Sequence, residues 1–549
     1  MEPSPSSSSG FSQTVAEYGL PILCGALAFF LVMGGGILDP TNIAWMAHFD
    51  PAQYYLGWAF FRDTPWMIPP GASPRYGMEI GSSIYYTDSI PLLALPAKAL
   101  SAWLPVPFQY WGWWVLLCFI LQAIFGWKLA GLITPQRTAR LAAMGLFLFS
   151  PPFLFRMNFQ YSFGAQWLLL ASLYLCFGPR EVRRQVWWPV VVVLAAGIHS
   201  YLFAMVLLLW ATDLARRLIL RETRHLAPEI LCATVGSLAM LWLAGFFVIT
   251  KGLRSWGLGD AHMNLLSLIN PNNYPMGGKW SYVLPSFTAH GFDYEGFNFL
   301  GLGLILFFAL CLLLFVLRPQ PLTLKREWWP LALLLVLLTI FALSNRVALG
   351  GVTLFTYWLP EFCEMLRSSG RMFWPVFYVL LFLALRYSLR RLGAQFSFYL
   401  WALILTVQIL DTGAGWRIVR AKTNAAHGTT WDSPLQSEFW KQARYQTIYR
   451  IPLEGYPDSG YQHFAYYALL HGMSTDAAYL ARYDPAKIKA HRAKLETQLT
   501  TGQFESNALY VLDDAHAELA RKSLNPATDA LEKIDGYWVL APGGRDLMR

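Results

Sequence analysis

Residues 110–133 read YWGWWVLLCFILQAIFGWKLAGLI and contain one charged side chain, that of Lys128, in 24 positions. A helix that crosses the hydrocarbon core of a bilayer needs about 20 predominantly apolar residues. This segment meets that requirement, and other apolar segments approach it: 19–38, 141–157, 166–177, 187–199, 200–214, 229–249, 298–317, 329–344, 371–385 and 396–411. The sequence therefore predicts a polytopic α-helical membrane protein with about 11 transmembrane helices.

The composition of the whole chain favours the same class of protein. Of 549 residues, 55% are hydrophobic and only 14% are charged, whereas about 25% charged residues are usual in soluble proteins. The net charge is +9, but so few charges among so many apolar side chains indicate a lipid bilayer as the partner and no nucleic acid. Neither the 6 cysteines nor the 10 histidines show a metal-ligand spacing, so no metal site is predicted.

The density of charged residues divides the chain near residue 411. Residues 412–549 contain 31 charged side chains, about 22%, whereas the preceding residues contain 44, about 11%. We therefore predict a flexible N-terminal tail (1–18), a transmembrane domain (19–411) and a soluble α/β domain (412–549). In the last domain the residue patterns predict strands at 445–452, 508–513 and 535–541 and helices at 484–500 and 514–522.

Basic residues in short loops predict the orientation in the membrane, because such loops stay cytoplasmic. With a cytoplasmic N-terminus, five inner loops hold 15 basic residues in 51 positions, whereas the much longer outer loops hold only 8. The long outer loops are then 39–109, 250–297 and 345–370. An odd number of spans places the C-terminal domain outside, which in a bacterium means the periplasmic side of the inner membrane.

The first outer loop is rich in aromatic and acidic residues. Its segment 53–62 carries apolar side chains around most of a short helix, a pattern that favours a helix at the lipid interface. Prolines and charges in 83–104 favour a second interfacial or re-entrant helix. The loop also carries five carboxylates, which is more than solubility requires: Asp39, Asp50, Asp63, Glu79 and Asp88.

The first predicted span leads to an acidic residue in a long outer loop, and many further spans and a soluble outer domain follow. This arrangement resembles the GT-C class of integral membrane glycosyltransferases. That class includes protein O-mannosyltransferases, the aminoarabinose transferase of lipid A and the mycobacterial arabinosyltransferases. Several segments also resemble a bacterial family of uncharacterised membrane proteins near that class: FDPAQYYLGWAFFRDTPW (49–66), YTDSIPLLALPAK (86–98), NLLSLINP (264–271), YEGFNFLGLG (294–303) and SSGRMFWP (368–375).

The resemblance implies an inverting transferase that moves a sugar from a polyprenyl-phosphate donor to a glycan, lipid or protein acceptor on the outer face of the membrane. Such a reaction needs a carboxylate as general base and cations that neutralise the departing phosphate. No cofactor is required, although a divalent cation between a carboxylate and the phosphate is an open alternative. A lipid or polysaccharide transporter and a non-catalytic envelope assembly protein are the alternative functions.

Asp50 and Asp39 are the candidate bases, and each precedes a proline. Asp50 begins the aromatic helix of the first outer loop, where the Asp-Pro pair is equally suited to an N-cap with proline at the first helical position. Asp39 has the same form directly at the membrane boundary. Asp88 is a third acid and is a candidate for contact with the acceptor or sugar.

Arg371, Arg156 and Arg75 are the main candidates for binding the donor phosphate, and Arg346 and Arg367 on the predicted outer side are also considered for it. Arg371 follows Gly370 at the start of a span, where a guanidinium and helix N-terminal amides are able to share an anion. The alternative is an interfacial arginine that extends its charge to lipid headgroups.

Four further residues are candidates for binding the acceptor or the sugar: His199, Asn264, Tyr294 and Glu295. An ionisable side chain between two predicted spans, such as His199, is a functional candidate by default, and a hydrogen-bonded structural histidine is the alternative. The other three lie in the 250–297 loop and offer paired donors and acceptors for hydroxyl groups. Loop capping explains polar residues such as Asn264 as well.

Overall fold

A computed structural model describes residues 8–179, 182–252, 257–273, 277–288, 293–321, 323–442, 444–453, 460–480 and 482–548. The chain divides into two compact units. The helical unit comprises Met1–Asp39, Tyr110–Ser237 and Trp256–Ala426. The mixed unit comprises Pro40–Gln109, Leu238–Ser255 and His427–Arg549.

The described residues form 17 α-helices. In chain order they are α1 (Ser8–Val32), α2 (Phe49–Asp63), α3 (Pro91–Ala99), α4 (Trp111–Gly131), α5 (Arg137–Leu148), α6 (Pro151–Arg156), α7 (Trp167–Phe177), α8 (Arg184–Ala196), α9 (Ser200–Ile219), α10 (Leu226–Leu243), α11 (Leu302–Leu317), α12 (Trp329–Leu343), α13 (Trp374–Leu392), α14 (Ala394–Thr423), α15 (Tyr461–Leu470), α16 (Pro485–Thr501) and α17 (Asp514–Ser523). The predicted tail overlaps α1, which begins at Ser8, and residues 1–7 lie outside the described residues.

The same residues form nine strands. They are β1 (Asn272–Asn273), β2 (Gly278–Lys279), β3 (Arg346–Leu349), β4 (Val352–Thr356), β5 (Thr447–Ile451), β6 (Ser474–Thr475), β7 (Ala508–Leu512), β8 (Ala530–Ile534) and β9 (Tyr537–Ala541). The pairs β1–β2 and β3–β4 are antiparallel hairpins, and the other five strands form one sheet. The chain is thus mostly helical.

Each of the 11 predicted apolar segments overlaps an α-helix, but the number of membrane spans is not confirmed. Five helical stretches among the described residues are long and apolar enough to cross a membrane: Trp111–Gly131, Leu226–Leu243, Arg326–Leu343, Ser369–Leu392 and Ala394–Thr423. The predicted span 141–157 is interrupted, because α5 ends at Leu148 and α6 begins at Pro151. Proline has no backbone N–H to continue a helix, and the 12 residues of α5 reach only about 18 Å.

A small residue and hydrogen-bonded polar side chains hold α1 and α4 close together in the helical unit. A side chain added at Gly25 of α1 would lie 2.7 Å from the Cα of Ile120 in α4, so the two backbones are in near contact, as is common where helices pack in membranes. Glu17 of α1 accepts a hydrogen bond from the Trp127 indole at 3.0 Å and pairs with Arg140 at 2.7 Å.

The mixed unit contains a five-stranded sheet in the order β6-β5-β7-β9-β8. Strand β5 is parallel to β6 and β7, whereas β9 is antiparallel to β7 and β8. Its core includes Tyr449, Tyr510 and Leu540 of the sheet and Leu495 and Leu499 of α16. The prediction of a C-terminal domain with both helices and strands is confirmed, while β6, β8 and α15 were not predicted.

Residues 40–109, which make up nearly all of the predicted first outer loop, belong to this same unit. Arg75 donates to the backbone oxygen of Met473 at 3.1 Å, Tyr76 forms a parallel bridge with Thr475, and Lys494 of α16 pairs with Glu79 at 3.1 Å. Residues separated by several hundred positions in the sequence therefore form one folded body.

The prediction that residues 53–62 form a helix at the lipid interface is wrong. Residues 51–61 of α2 are all buried. The Tyr55 ring lies 5.3 Å from that of Trp431, and the Phe60 ring stacks on Tyr76 at 5.1 Å. A helix that is apolar on all sides is typical of a protein interior, and α2 is a core helix of the mixed unit.

Candidate functional site

The helical unit contains a buried cluster of three charged residues, which we call the charged triad: Arg156, Glu295 and Arg371. Arg156 is the last residue of α6. Glu295 lies in a 3₁₀ turn, Asp293–Gly296, and Arg371 lies in another, Ser369–Phe373, directly before α13. Arg156 is 1% exposed, Arg371 6% and Glu295 8%, so all three charges are largely removed from water.

The Glu295 carboxylate joins the two arginines. Arg371 Nε donates to Glu295 Oε2 at 2.8 Å, and Arg371 Nη2 lies 2.5 Å from Oε1. Arg156 donates from Nη1 to Oε2 at 3.0 Å and from Nη2 to the Glu295 backbone oxygen at 2.9 Å. Gln160 accepts from Arg156 Nη1 and donates to Glu295 Oε1 at 3.4 Å.

The triad carries more positive than negative charge. Burial opposes ionisation of Glu295, but the charges of Arg371 and Arg156 outweigh it and lower the pKa of this carboxyl to about 2. Glu295 is thus a carboxylate at neutral pH, and two guanidinium groups share its single negative charge. Arg156 Nε has no hydrogen-bond partner among the described residues, which leaves a donor suited to an additional anionic oxygen.

Aromatic rings cover the guanidinium groups. Arg371 Cζ lies 4.2 Å from the centroid of the Phe163 ring and 5.0 Å from that of Tyr201. Arg156 Cζ lies 5.1 Å from the Trp374 ring. Ring faces attract cations and exclude water from them. These aromatic residues were not among the candidates predicted from the sequence. Neither was Gln160, for which the spacing of four residues from Arg156 is the available signal.

Two glycines allow the turns that carry Glu295 and Arg371 to touch. A side chain added at Gly370 would lie 2.4 Å from the Cα of Gly296, and one added at Gly296 would lie 2.0 Å from the backbone oxygen of His262. The Asn298 amide donates to the Gly296 and Gly370 carbonyl oxygens at 2.9 and 3.0 Å. This close backbone contact places the two charged side chains together.

We expect Gly370→Ala to destabilise the helical unit by about 1 to 3 kcal/mol, the usual range for overpacking. The added methyl group would meet backbone atoms, which cannot rotate away from it. Thermal unfolding of the purified chain in detergent measures the effect. Gly35→Ala is the control, because its nearest new contact is the Phe30 ring at 3.5 Å. An unchanged melting temperature of the Gly370 variant would contradict the close contact.

Three other predicted residues of the helical unit have defined surroundings. His199 is the N-cap of α9, where its Nδ1 accepts from the Tyr201 backbone N–H at 3.1 Å, and its ring lies 4.0 Å from that of Phe163, next to the triad. Tyr294 precedes Glu295 and is half-buried. Asn264 bonds the backbone of Gly350 through both its amide nitrogen, at 2.8 Å, and its oxygen, at 2.9 Å; this is the loop-capping alternative.

The other predicted site residues are three aspartates and Arg75, which are distant from the triad in sequence. Asp39 is exposed at the end of a helical-unit segment, whereas Asp50, Arg75 and Asp88 are half-buried residues of the mixed unit. Arg75 hydrogen-bonds the backbone of Met473. Asp88 has a positive φ of 52°, a conformation that aspartate tolerates better than most residues.

Asp50 lies in the first turn of α2, which begins at Phe49, so it is not the N-cap residue itself. A carboxylate in a first turn still stabilises the positive end of a helix. Burial raises the pKa of the Tyr461 hydroxyl in α15, and Tyr76 and the negative charge of Asp50 raise it further. Asp50 is therefore close to buried tyrosines within the mixed unit.

Within the part of the chain that the structure describes, no three histidine, cysteine, aspartate or glutamate side chains are arranged to hold a metal ion.

Comparison with solved structures gives weak similarity to archaeal oligosaccharyltransferases. One match is AglB from Archaeoglobus fulgidus in complex with an inhibitory peptide and a dolichol-phosphate, with 14% identity and a TM-score of 0.39 over 94% of this chain and 72% of that chain. Another is the oligosaccharyltransferase of the same organism in complex with Zn and sulfate, with 13% identity and a TM-score of 0.34 over 95% and 73%. Neither TM-score is high enough to assign a fold or a function to this chain.

Comparison with curated proteins gives no significant match. Comparison with protein families gives two. Residues 22–413 match the domain of unknown function DUF6311, and residues 439–542 match the DUF6311 C-terminal domain. These two matches cover most of the helical segments and the C-terminal sheet. The chain therefore belongs to the DUF6311 family.

Proposed function

We propose that this protein is a GT-C-like glycosyltransferase that moves a sugar from a polyprenyl-phosphate donor to an envelope glycan, lipid or protein. In this proposal it is a multi-pass protein of a bacterial inner membrane, with a cytoplasmic N-terminus and the C-terminal domain outside. The transfer is inverting, as expected when an acceptor hydroxyl attacks the donor directly with the help of a base. The proposal assigns no cofactor.

The observation that carries the proposal is the excess positive charge of the charged triad. The two guanidinium groups and the one carboxylate of the triad are buried and together carry a net charge of about +1. An anionic oxygen of a lipid-linked phosphate would be attracted to this charge, and Arg156 Nε offers a donor for it. Arg371 begins a helical stretch long enough to span a membrane, which supports a role near the depth of lipid phosphates.

The proposal divides the chemistry between the candidate residues. Arg371 and Arg156 bind the donor phosphate, and Asp50 accepts the proton of the acceptor hydroxyl, with Asp39 as the alternative base. Glu295, first considered as a sugar ligand, is instead assigned to orient the two arginines, because both of its carboxylate oxygens already accept hydrogen bonds. His199, Tyr294, Asn264 and Asp88 remain candidates for contact with the sugar or acceptor, and Arg75 for the donor.

The test is transfer of a radiolabelled sugar from polyprenyl-phosphate donors to a membrane-extract acceptor by the purified chain in nanodiscs. Appearance of label in the acceptor, and its loss when Asp50 is replaced, is the expected result. A transporter would move labelled donor lipid across the bilayer of a proteoliposome without breaking the sugar–phosphate bond. An assembly protein would do neither, and either of those results would overturn the proposal.

We expect Arg371→Lys to weaken binding of the donor lipid about tenfold, since lysine keeps the charge but loses a charge-assisted hydrogen bond worth about 1.5 kcal/mol or more. Equilibrium binding of a fluorescent polyprenyl phosphate measures the change, and the melting temperature shows whether the variant is folded. Arg521→Lys is the control, because Arg521 is an exposed arginine of α17 that lies outside the triad. Equal affinity of a folded Arg371 variant and the wild type would remove phosphate binding from Arg371.

A further inference from the structure

The hairpin formed by β3 and β4, together with the residues that follow it, exposes an unusual number of large apolar side chains. Val352 is 63% exposed, Phe355 57%, Trp358 79% and Phe362 69%. All five residues of β4 are exposed. Because neighbouring residues of a strand point to opposite faces, both faces of β4 present apolar groups.

This hairpin is anchored to the helical unit through β3. Val347 and Ala348 are buried, and the backbone N–H of Leu265 donates to the Ala348 oxygen at 3.0 Å. At the turn, Asn264 holds the backbone of Gly350. The exposed apolar side chains therefore belong mainly to β4, the outer strand of a hairpin whose other strand is anchored.

Its position in the chain places the hairpin beside a membrane surface. Strand β3 begins at Arg346, three residues after α12 ends at Leu343, and the following stretch from Ser369 to Leu392 is again apolar and long enough to cross a membrane. The segment between two consecutive spans leaves and re-enters the bilayer on one side. The exposed apolar side chains of a segment between two such spans therefore stay near one surface of the bilayer.

The backbone of β4 limits how deep the hairpin lies. Among the described residues β4 pairs with β3 alone, so its outer edge has N–H and C=O groups that need water. Open strand edges do not occur in the hydrocarbon core, whereas tryptophan and other aromatic residues are enriched at the headgroup level.

We propose that residues 346–362 form a membrane-interface anchor whose β4 strand, Trp358 and Phe362 insert into the headgroup and upper acyl region of the bilayer. The occupant of this surface is lipid. A bilayer surrounds a two-stranded hairpin and covers the apolar groups on both of its faces, whereas the surface of a second protein covers only one face. The anchor lies just before Arg371 in the chain, so it holds the start of α13 at the membrane surface. This inference does not depend on the proposed function.

The test places an environment-sensitive fluorescent amino acid at position 355 of the full chain in nanodiscs that contain brominated lipids. We expect strong quenching at position 355, and more by bromines near the headgroup end of the acyl chain than by bromines near its methyl end. The same amino acid at position 533, an exposed site on β8, is the control and should not be quenched. Position 352 serves as a second site if the first variant does not melt like the wild type.

Three results would overturn the proposal. A probe at 355 that is insensitive to brominated lipid would show that the strand lies in water. Quenching that is strongest with bromines near the methyl end would place the strand in the hydrocarbon core. Energy transfer between two labelled chains at this position, without lipid quenching, would assign the surface to a second copy of the protein.

Discussion

The Glu295→Gln variant is expected to lose about 3 to 5 kcal/mol of stability, the usual effect of removing one partner from a buried ion pair. Glutamine has nearly the same shape, so the loss is due to charge. Arg156 and Arg371 would both remain buried after losing the carboxylate that they share. The effect is measured by thermal unfolding in detergent or nanodiscs, with the loss of soluble protein on heating as the readout.

The pH dependence of this effect has a definite sign. The two arginines lower the pKa of Glu295 to about 2 from an ordinary value of 4.5, so its stabilising contribution is present above pH 4.5 and is lost as the pH falls towards 2. The difference in melting temperature between the wild type and the glutamine variant should therefore be constant from neutral pH down to about pH 5. It should narrow at lower pH.

Two further variants show whether the charge pairing is the cause. Glu532→Gln removes an exposed carboxylate of β8 and should have almost no effect, as expected for surface charges. Adding Arg156→Met to the glutamine variant removes one unpaired charge and should recover part of the lost stability. If Glu295→Gln melts like the wild type at neutral pH, the charged triad is not a buried, mutually paired site.

Asp50→Asn is expected to reduce sugar transfer by about 10²-fold or more, the range found when a general base is removed. Asparagine keeps the size and hydrogen-bonding capacity of the side chain but does not accept a proton. Turnover with a saturating polyprenyl-phosphate donor is the measurement, and donor affinity should be unchanged. Reduced turnover with unchanged donor affinity distinguishes the base from the phosphate-binding arginines, because variants of those arginines should weaken donor binding.

Asp63→Asn is the matched control, since Asp63 ends the same helix and is exposed. Both variants change one charge on α2, but only Asp50 lies near the buried Tyr461. Near-normal turnover of a folded Asp50→Asn protein would reduce Asp50 to a residue that stabilises the helix N-terminus. Asp39→Asn would then be the next variant, because Asp39 is the alternative base.

The sequence alone determined much of the local structure. Apolar runs such as residues 110–133 give a strong helical signal, and α4 forms there. In the C-terminal part, patterns at 508–513 and 484–500 correctly predicted β7 and α16. Breaks of a helix inside an apolar run are harder to predict. Pro151 separates α5 from α6, and each of these helices is too short to span a membrane.

Only the tertiary structure decided which distant segments meet. Apolar periodicity shows that a segment will be buried but does not show what covers it, so α2 was assigned to the lipid interface although aromatic residues of the C-terminal region cover it. The charged triad has the same origin: Arg156 and Glu295 are 139 residues apart, and Glu295 and Arg371 are 76 apart. Their types and positions near predicted span ends made them candidates one by one. Their pairing depends on two glycines that allow close backbone contact, and that contact exists only in the folded chain.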